Sequence, residues 1–283
     1  AAGAPWFVGV GFNLPHLPFA APKKYWDLYD PATIEINPVQ QHPEGTPFFV
    51  RQNSGELRSY SDAPKRGPIP VDFQRRLIHG YYASVSFADA QVGRLLDHLD
   101  HLGETDNTIV CLWGDHGWHL GDHGMFCKHT NYEQATRSPL ILAAPGTCPE
   151  GASTAAPTEF VDIYPTLCDL AGIELRPELE GTSLVPLMGD PASSVKPVAI
   201  SQYPRRYDKK NVMGYAYRDQ RYRYVEWEQK KFRDGETTGP VVLQELYDYE
   251  VDPLERRNLA DDLAYADQLK RMIALARATR TGT

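Results

Sequence analysis

The sequence predicts an α/β fold with a mainly parallel sheet flanked by helices, followed by a small α+β subdomain of antiparallel strands. Three observations support this: a long helical pattern in the first half, two apolar runs without polar alternation, and several aromatic-rich runs near the end. A chain of 283 residues can bury one large core together with a satellite subdomain. We expect the α/β domain to span residues 1–196 and the subdomain residues 197–283.

Proline dominates the N-terminal region. Ten prolines fall between residues 15 and 70, and they disfavour a long helix or a central strand there. We expect an ordered loop region that lines a pocket, with one short helix over 22–29. Residues 7–12 have a strand-like apolar pattern. Because no initiator Met or charged leader precedes them, we expect the chain to begin within a domain.

The middle of the chain alternates between helix and strand. Apolar residues recur every three or four positions over 72–102, and Gly103 is placed to end that helix. Residues 108–113 and 139–144 are short apolar runs, and we expect the first to be a strand buried on both faces of a parallel sheet. A further helix is expected over 159–170.

The C-terminal part of the sequence is richer in short aromatic runs than the middle of the chain. Aromatic-rich runs at 215–218, 222–227 and 242–249 are separated by turn residues, which is typical of an antiparallel meander. A final helix is expected over 264–279.

Composition argues against two classes of function. The mean hydropathy is −0.46 and no 18-residue apolar run occurs, so the sequence predicts no membrane span. Lys and Arg number 29 against 37 Asp and Glu, which gives a net charge of −8. This charge argues against a broad basic surface for nucleic acid, and a polyanionic partner would have to be bound locally.

The cysteine pattern leaves the compartment open, and the absence of glycosylation sites bears on the source. The four cysteines are widely spaced, so the sequence indicates neither a zinc ribbon nor a dense disulfide framework. No Asn-x-Ser/Thr sequon occurs, which favours a bacterial source. For such a protein we expect a secreted or periplasmic location rather than a lysosomal one.

The densest group of polar side chains is the loop Gly114-Asp-His-Gly-Trp-His-Leu-Gly-Asp-His-Gly124. Asp115 and His116 follow the expected strand directly, where open α/β sheets place their ligands. A carboxylate offers oxygens to Mg or Ca, and an imidazole suits transition metals or proton transfer. The alternative is a simple turn, but the repeated Asp-His-Gly and the nearby Lys128 favour a site.

Other polar residues have competing interpretations. We interpret His119 and His123 as structural residues that hold the loop by hydrogen bonds. Lys128 is either a solvated surface lysine or a cation that holds a tetrahedral oxyanion. His16 is fixed between two prolines and suits acid–base chemistry, although a histidine in that setting is more often structural.

Four segments, taken in this order, resemble the type I sulfatases. They are Pro-His-Leu-Pro-Phe at 15–19, the helix over 80–96, the loop 114–124 with Lys128, and Glu245-Leu-Tyr-Asp-Tyr-Glu-Val-Asp-Pro-Leu-Glu-Arg-Arg-Asn-Leu259. Residues 67–76 and 201–204 further resemble the iduronate-2-sulfatase subfamily. The resemblance covers nearly the whole chain. It implies an alkaline-phosphatase-like fold and removal of sulfate from a sugar of a glycosaminoglycan or related polysaccharide.

The resemblance also implies roles at the reacting centre. Asp115 and His116 would bind a divalent cation, which is Ca in most of the family, with His116 beside the nucleophile. His16 and Lys128 would hold the sulfate and stabilise or protonate the leaving oxygen.

For the sugar, the resemblance implies that Trp118, together with Lys128 and His129, contacts the substrate. Position 13 is Asn where the subfamily has a histidine, and this difference leaves the preferred sugar open.

The nucleophile motif is missing from this sequence. Type I sulfatases make a formylglycine from Cys or Ser in a C/S-x-P-x-R motif, and no such motif occurs here. The resemblance therefore implies a formylglycine in an upstream segment and a metal site that is only half built by this chain. Two other interpretations stay open: a phosphonate or phosphate ester hydrolase of the same superfamily, and a sulfated-sugar-binding protein without catalysis.

Overall fold

The computed structural model describes residues 3–147, 149–230 and 239–281. The chain divides into two compact units, Ala1–Pro38 with Leu57–Asp106 and Val39–Glu56 with Asn107–Thr283. The domain boundary expected at residue 197 stays a prediction. Within the described ranges, no helix has the length and apolar character needed to cross a membrane.

One long helix dominates the first unit. The helices are α1 (Lys23–Trp26), α2 (Gly55–Arg58) and α3 (Val71–His101). The second stretch of this unit begins at Leu57, within α2. α3 confirms the helix expected over 72–102, and it ends before Gly103, whose φ of +68° favours glycine. α1 packs on α3 at Gly80, where an added Cβ would lie 2.8 Å from the Trp26 ring.

Residues 7–12 correct one expectation. They form no strand in the described chain, and Phe7 is 86% exposed. The strand-like interpretation is wrong because Gly9 and Gly11 alternate with the apolar residues and provide no side chains for packing.

The second unit begins with short strands. They are β1 (Val110–Trp113), β2 (His119–Leu120), β3 (Phe126–Cys127) and β4 (Leu140–Ala143). β1 pairs antiparallel with β4, and β2 pairs antiparallel with β3. Three helices complete this part: α4 (Glu133–Thr136), α5 (Ile163–Leu170) and α6 (Val185–Gly189). α5 and the 3-10 turn before it confirm the helix expected over 159–170.

The β1–β4 pair corrects the predicted sheet. Leu140 and Leu142 of β4 pack on a buried cluster, whereas Trp113 and Ile141 are 50% and 60% exposed. Burial of β1 on both faces is therefore wrong for the described residues, and so is its parallel pairing. An apolar run shows only that side chains can be buried, and it does not reveal which strand pairs with it or how many layers cover it.

A four-stranded antiparallel meander forms the rest of the second unit. Its strands follow chain order: β5 (Ala199–Tyr207), β6 (Lys210–Arg218), β7 (Tyr222–Gln229) and β8 (Val241–Asp248). The helix α7 (Ala266–Thr281) packs on β7. These elements confirm the antiparallel subdomain and the terminal helix. One core between the meander and the site region includes Met125, Tyr132 and Trp227, and a second lies under α7.

A buried carboxyl group lies inside the first of these cores. The Trp227 indole N–H donates to Glu245 Oε1 at 2.6 Å, and the Tyr247 hydroxyl donates to Oε2 at 2.6 Å. Burial raises the pKa of Glu245 to about 7, although both hydrogen bonds oppose that shift. The folded protein therefore binds a proton on Glu245 at pH values where the unfolded chain has released it.

We expect the free energy of unfolding to fall as the pH rises from about 4.5 to about 7, because the stabilisation by protonated Glu245 is fully present below the unfolded pKa and is lost as pH passes the folded pKa. Glu245→Gln should flatten this slope in urea unfolding series at pH 5, 6 and 7. The matched control is Glu250→Gln, which changes a carboxylate that is 66% exposed. An equal slope in wild type and Glu245→Gln would show that Glu245 does not titrate in this range.

Candidate functional site

The loop after β1 is tied to the segment that precedes β4. The Gly114 N–H donates to the Pro139 carbonyl at 3.1 Å, and the Ser138 hydroxyl donates to the Gly114 carbonyl at 2.7 Å. These bonds fix the backbone of Gly114, directly before Asp115. The Asp115 side chain is 86% exposed. The antiparallel β1–β4 pair thus presents the first Asp-His-Gly at a strand end, as the sequence predicts.

Gly117 fixes the other end of this Asp-His-Gly. Its N–H donates to the Ala135 carbonyl of α4 at 2.9 Å, and an added Cβ would lie 2.0 Å from the Gln134 carbonyl oxygen. Any side chain at this position would push the loop away from α4. The glycine therefore sets the position of the His116 and Trp118 side chains on either side of it.

His116 is oriented by its own neighbour. Its Nδ1 donates to the Gly117 carbonyl at 2.8 Å, which leaves Nε2 as the ring nitrogen available to another partner. Nε2 lies 3.5 Å from Asp115 Oδ2. A carboxylate oxygen and an imidazole nitrogen therefore lie side by side, and both are atom types that bind metal cations.

The second Asp-His-Gly is structural. Asp122 accepts hydrogen bonds from His119 Nδ1 and from the Leu120 N–H, and His119 Nε2 lies 2.7 Å from the Thr130 hydroxyl. His123 Nδ1 donates to the Gln41 carbonyl at 3.2 Å. His119, Asp122 and His123 are buried, so the interpretation of both histidines as residues that hold the loop is confirmed.

Lys128 lies against the aromatic ring of the same loop. Its Nζ is 5.0 Å from the centroid of the Trp118 ring, and that ring stacks on His116 with 6.0 Å between centroids. Cys127, directly before it, has a φ of +74°, which is rare for a residue with a side chain and here redirects the chain at the end of β3. His116, Trp118 and Lys128 therefore belong to one cluster.

A carboxylate that the sequence interpretation missed completes this cluster. The Lys128 ammonium donates to the Glu56 carboxylate at 2.8 Å, and the two side chains are only 17% and 21% exposed. This pairing rules out the solvated surface lysine. No spacing in the sequence could have related positions 56 and 128.

Two residues of β5 contact His129, which directly follows Lys128. The His129 ring lies 5.7 Å from the Tyr203 ring, and the Arg205 guanidinium donates to the His129 carbonyl. Burial lowers the pKa of His129, and the charge of Lys128 lowers it further. Tyr203 and Arg205 were also missed, although the segment 201–204 had been singled out for its resemblance.

His16 lies in the first unit. Its Nδ1 donates to the Leu17 carbonyl at 2.7 Å, and its backbone N–H donates to the Asn13 carbonyl at 3.0 Å. The two prolines around it do hold a compact turn, and its place beside Lys128 stays a prediction.

Asp115 and His116 fit part of a metal site. A hard divalent cation such as Ca takes about six to eight oxygens. In the part of the chain that the structure describes, no group of three or more His, Cys, Asp or Glu side chains is arranged to hold a metal ion. Cys111, Cys127 and Cys168 are free thiols, and Cys148 lies outside the described residues. Two donors are fewer than such a cation takes, and the metal-binding role of Asp115 and His116 stays a prediction.

The family models and the relatives matched by sequence agree on one family. The family model described as Sulfatase matches residues 1–173, and the model described as N-sulphoglucosamine sulphohydrolase, C-terminal, matches residues 121–280. Iduronate 2-sulfatase of Homo sapiens is 33% identical over 92% of this chain. The chain spans 59% of the length of that relative.

Solved structures extend the comparison to the fold. A phosphonate monoester hydrolase from Silicibacter pomeroyi superposes with a TM-score of 0.73 at 26% identity, covering 94% of this chain and 54% of that one. A protein in complex with its substrate D-glucosamine-2-N,6-O-disulfate superposes with a TM-score of 0.61 at 28% identity, covering 74% of this chain and 41% of that one. These neighbours confirm the alkaline-phosphatase-like α/β class.

Proposed function

We propose, from the premise that this chain belongs to the sulfatase family, that the complete protein hydrolyses sulfate esters of sugars. The substrate class we propose is a sulfated uronic acid, or a related sugar, of a glycosaminoglycan or similar polysaccharide. The observation that carries the proposal is the half-buried cluster of His116, Trp118 and Lys128 at the end of β1.

Lys128 is the residue we assign to the sulfate. Hydrolysis moves negative charge onto the sulfuryl and leaving oxygens, and an ammonium group held in a partly water-excluded site stabilises that charge more strongly than water does. The Trp118 ring and the Glu56 carboxylate fix the ammonium before substrate binds. For His16 we propose the transfer of a proton to the leaving oxygen.

Asp115 and His116 are the residues we assign to a divalent cation. A bound cation supplies positive charge near the sulfuryl oxygens. The chain contributes the orientation of both donors, because His116 Nδ1 is committed to the Gly117 carbonyl and Nε2 is left facing the Asp115 side. We propose that the nucleophile is a formylglycine supplied by a part of the complete protein that this sequence does not include.

Trp118 and His129 are the residues we assign to the sugar. The face of an indole ring can pack on the apolar face of a pyranose ring. The Trp118 indole is partly buried and stacks on His116. The His129 ring beside Tyr203 gives a second aromatic surface.

A second candidate is hydrolysis of a phosphonate monoester. The superposition on the hydrolase from Silicibacter pomeroyi favours it, and Lys128 would suit any tetrahedral oxyanion. The sulfate ester is the first choice because the Sulfatase family model matches residues 1–173 and iduronate 2-sulfatase is 33% identical over 92% of this chain.

The test compares three substrates with the complete protein. We expect kcat/KM to be highest for a 2-sulfated uronate disaccharide, lower for an aryl sulfate that lacks the sugar, and lowest for an aryl phosphonate. Released sulfate is measured by ion chromatography, and the aryl group by absorbance. Fastest turnover of the phosphonate would favour the second candidate, and binding of the disaccharide without turnover of any ester would favour a binding protein.

A further inference from the structure

Glu56 is held opposite Lys128 by the local structure of its own segment. The Phe126 N–H donates to the Ser54 hydroxyl at 3.0 Å, and the Gln52 side-chain amide donates to the Phe126 carbonyl. Ser54 then turns the chain with a φ of +58°. Residues 52–54 therefore lie along β3. This places the Glu56 carboxylate next to Lys128, the residue that follows β3.

The Lys128 ammonium has a carboxylate directly beside it. The ammonium donates to Glu56 at 2.8 Å, and the nearby Arg205 guanidinium donates to the His129 carbonyl. Lys128 and Arg205 lower the pKa of His129, after burial, whereas Glu56 raises it. The charges of Lys128, Arg205 and Glu56 therefore all act on the His129 ring.

The number of charges distinguishes the esters that such a site could bind. A sulfate monoester carries one negative charge, whereas a phosphate monoester of the same shape carries −1.5 to −2 at about pH 7 because its second pKa is about 6. A carboxylate within a few ångströms repels the second charge, and in a partly buried site this repulsion is weakly screened.

We propose that Glu56 is the charge-selecting residue of the site, which favours monoanionic sulfate esters and disfavours dianionic phosphate monoesters. This inference rests on the proposed function, because it assigns the ester to the Lys128 cluster. Glu56 does not touch the reacting atoms in this role, and it acts through the charge of its carboxylate beside the Lys128 ammonium.

The test uses two ligands of one shape, methyl sulfate and methyl phosphate, as competitive inhibitors of the complete protein. At pH 8 we expect wild type to bind methyl sulfate at least about tenfold more tightly than methyl phosphate, since one unfavourable charge contact in such a site costs a factor of that order. Between pH 6 and pH 8 the ratio of the two dissociation constants should widen as methyl phosphate loses its second proton. Equal affinity for the two ligands in wild type at pH 8 would overturn the proposal without any variant.

Variants give an independent measurement. Glu56→Gln should bring the two dissociation constants within about threefold of each other, whereas Glu56→Asp, which keeps the charge, should retain the preference. The matched control is Glu178→Gln, which removes a carboxylate that is 66% exposed and should change nothing. An unchanged preference in Glu56→Gln would also overturn the proposal. Direct calorimetric binding of both ligands separates this inference from the function, because the charge preference can hold in a protein that hydrolyses no sulfate ester.

Discussion

Lys128→Ala should lower kcat/KM for sulfate esters by about 10²- to 10³-fold, the usual cost of removing one preorganised electrostatic contact to the transition state. The loss should fall mainly on kcat, because the charge interaction strengthens as negative charge develops. The measurement is steady-state hydrolysis of an aryl sulfate and of a sulfated uronate by the complete protein.

The pairing with Glu56 determines the controls for this variant. Lys128→Ala alone leaves a carboxylate that is 21% exposed without its ammonium, so part of any loss could come from misfolding. The double variant Lys128→Ala with Glu56→Gln removes that charge and should remain equally inactive while unfolding at the wild-type temperature. Lys270→Ala, at a lysine that is 77% exposed, should keep full activity. Wild-type kcat/KM in the folded double variant would remove Lys128 from the site.

Arg223→Met should lower the free energy of unfolding by about 3–5 kcal/mol, which is typical when one partner of a buried ion pair is removed and the other charge stays buried. Arg223 is 1% exposed, and its guanidinium donates to the Glu133 carboxylate and to the Asn131 carbonyl. Its Nε lies 3.6 Å from the fully buried Glu255 carboxylate. Without the guanidinium, two carboxylates share a buried region. Urea unfolding at pH 7 measures the change.

Two further variants separate charge from packing at this position. Arg223→Met combined with Glu255→Gln removes one uncompensated charge and should recover part of the lost stability, so the two changes should not be additive. Arg176→Met, at an arginine that is 73% exposed, should change the free energy of unfolding by less than about 0.5 kcal/mol. A double variant as unstable as the sum of its parts would show that the arginine acts through packing.

Local patterns predicted the helices α3, α5 and α7 and the antiparallel strands β6–β8, but they failed for the strand expected over 7–12 and for the pairing of β1. The helix that became α3 depends on apolar periodicity and on Gly103, and the strands β6, β7 and β8 depend on short aromatic runs. Both signals lie within the segment itself. The partner of β1 is decided by residues 27 or more positions away, and the apolar run contains no information about whether that partner is parallel or antiparallel.

The same distinction explains what was found of the site. Asp115, His116, Trp118 and Lys128 lie within 14 residues of one another, so a single loop revealed them. Glu56 is 72 residues from the lysine it pairs with, and Arg205 is 76 residues from the carbonyl it binds. Such contacts arise only when β3 and β5 are in place, and no local periodicity encodes them.

The docking of Gly117 on α4 bears on the entropy of substrate binding. A glycine in a free loop loses more conformational freedom on ordering than any other residue, and a flexible site would lose that freedom each time a substrate bound. Here the Ala135 carbonyl and the bonds at Gly114 order the loop during folding. The loop is therefore ordered before any ligand arrives, and the binding free energy of the sugar substrate proposed above would not have to offset the entropy of ordering it.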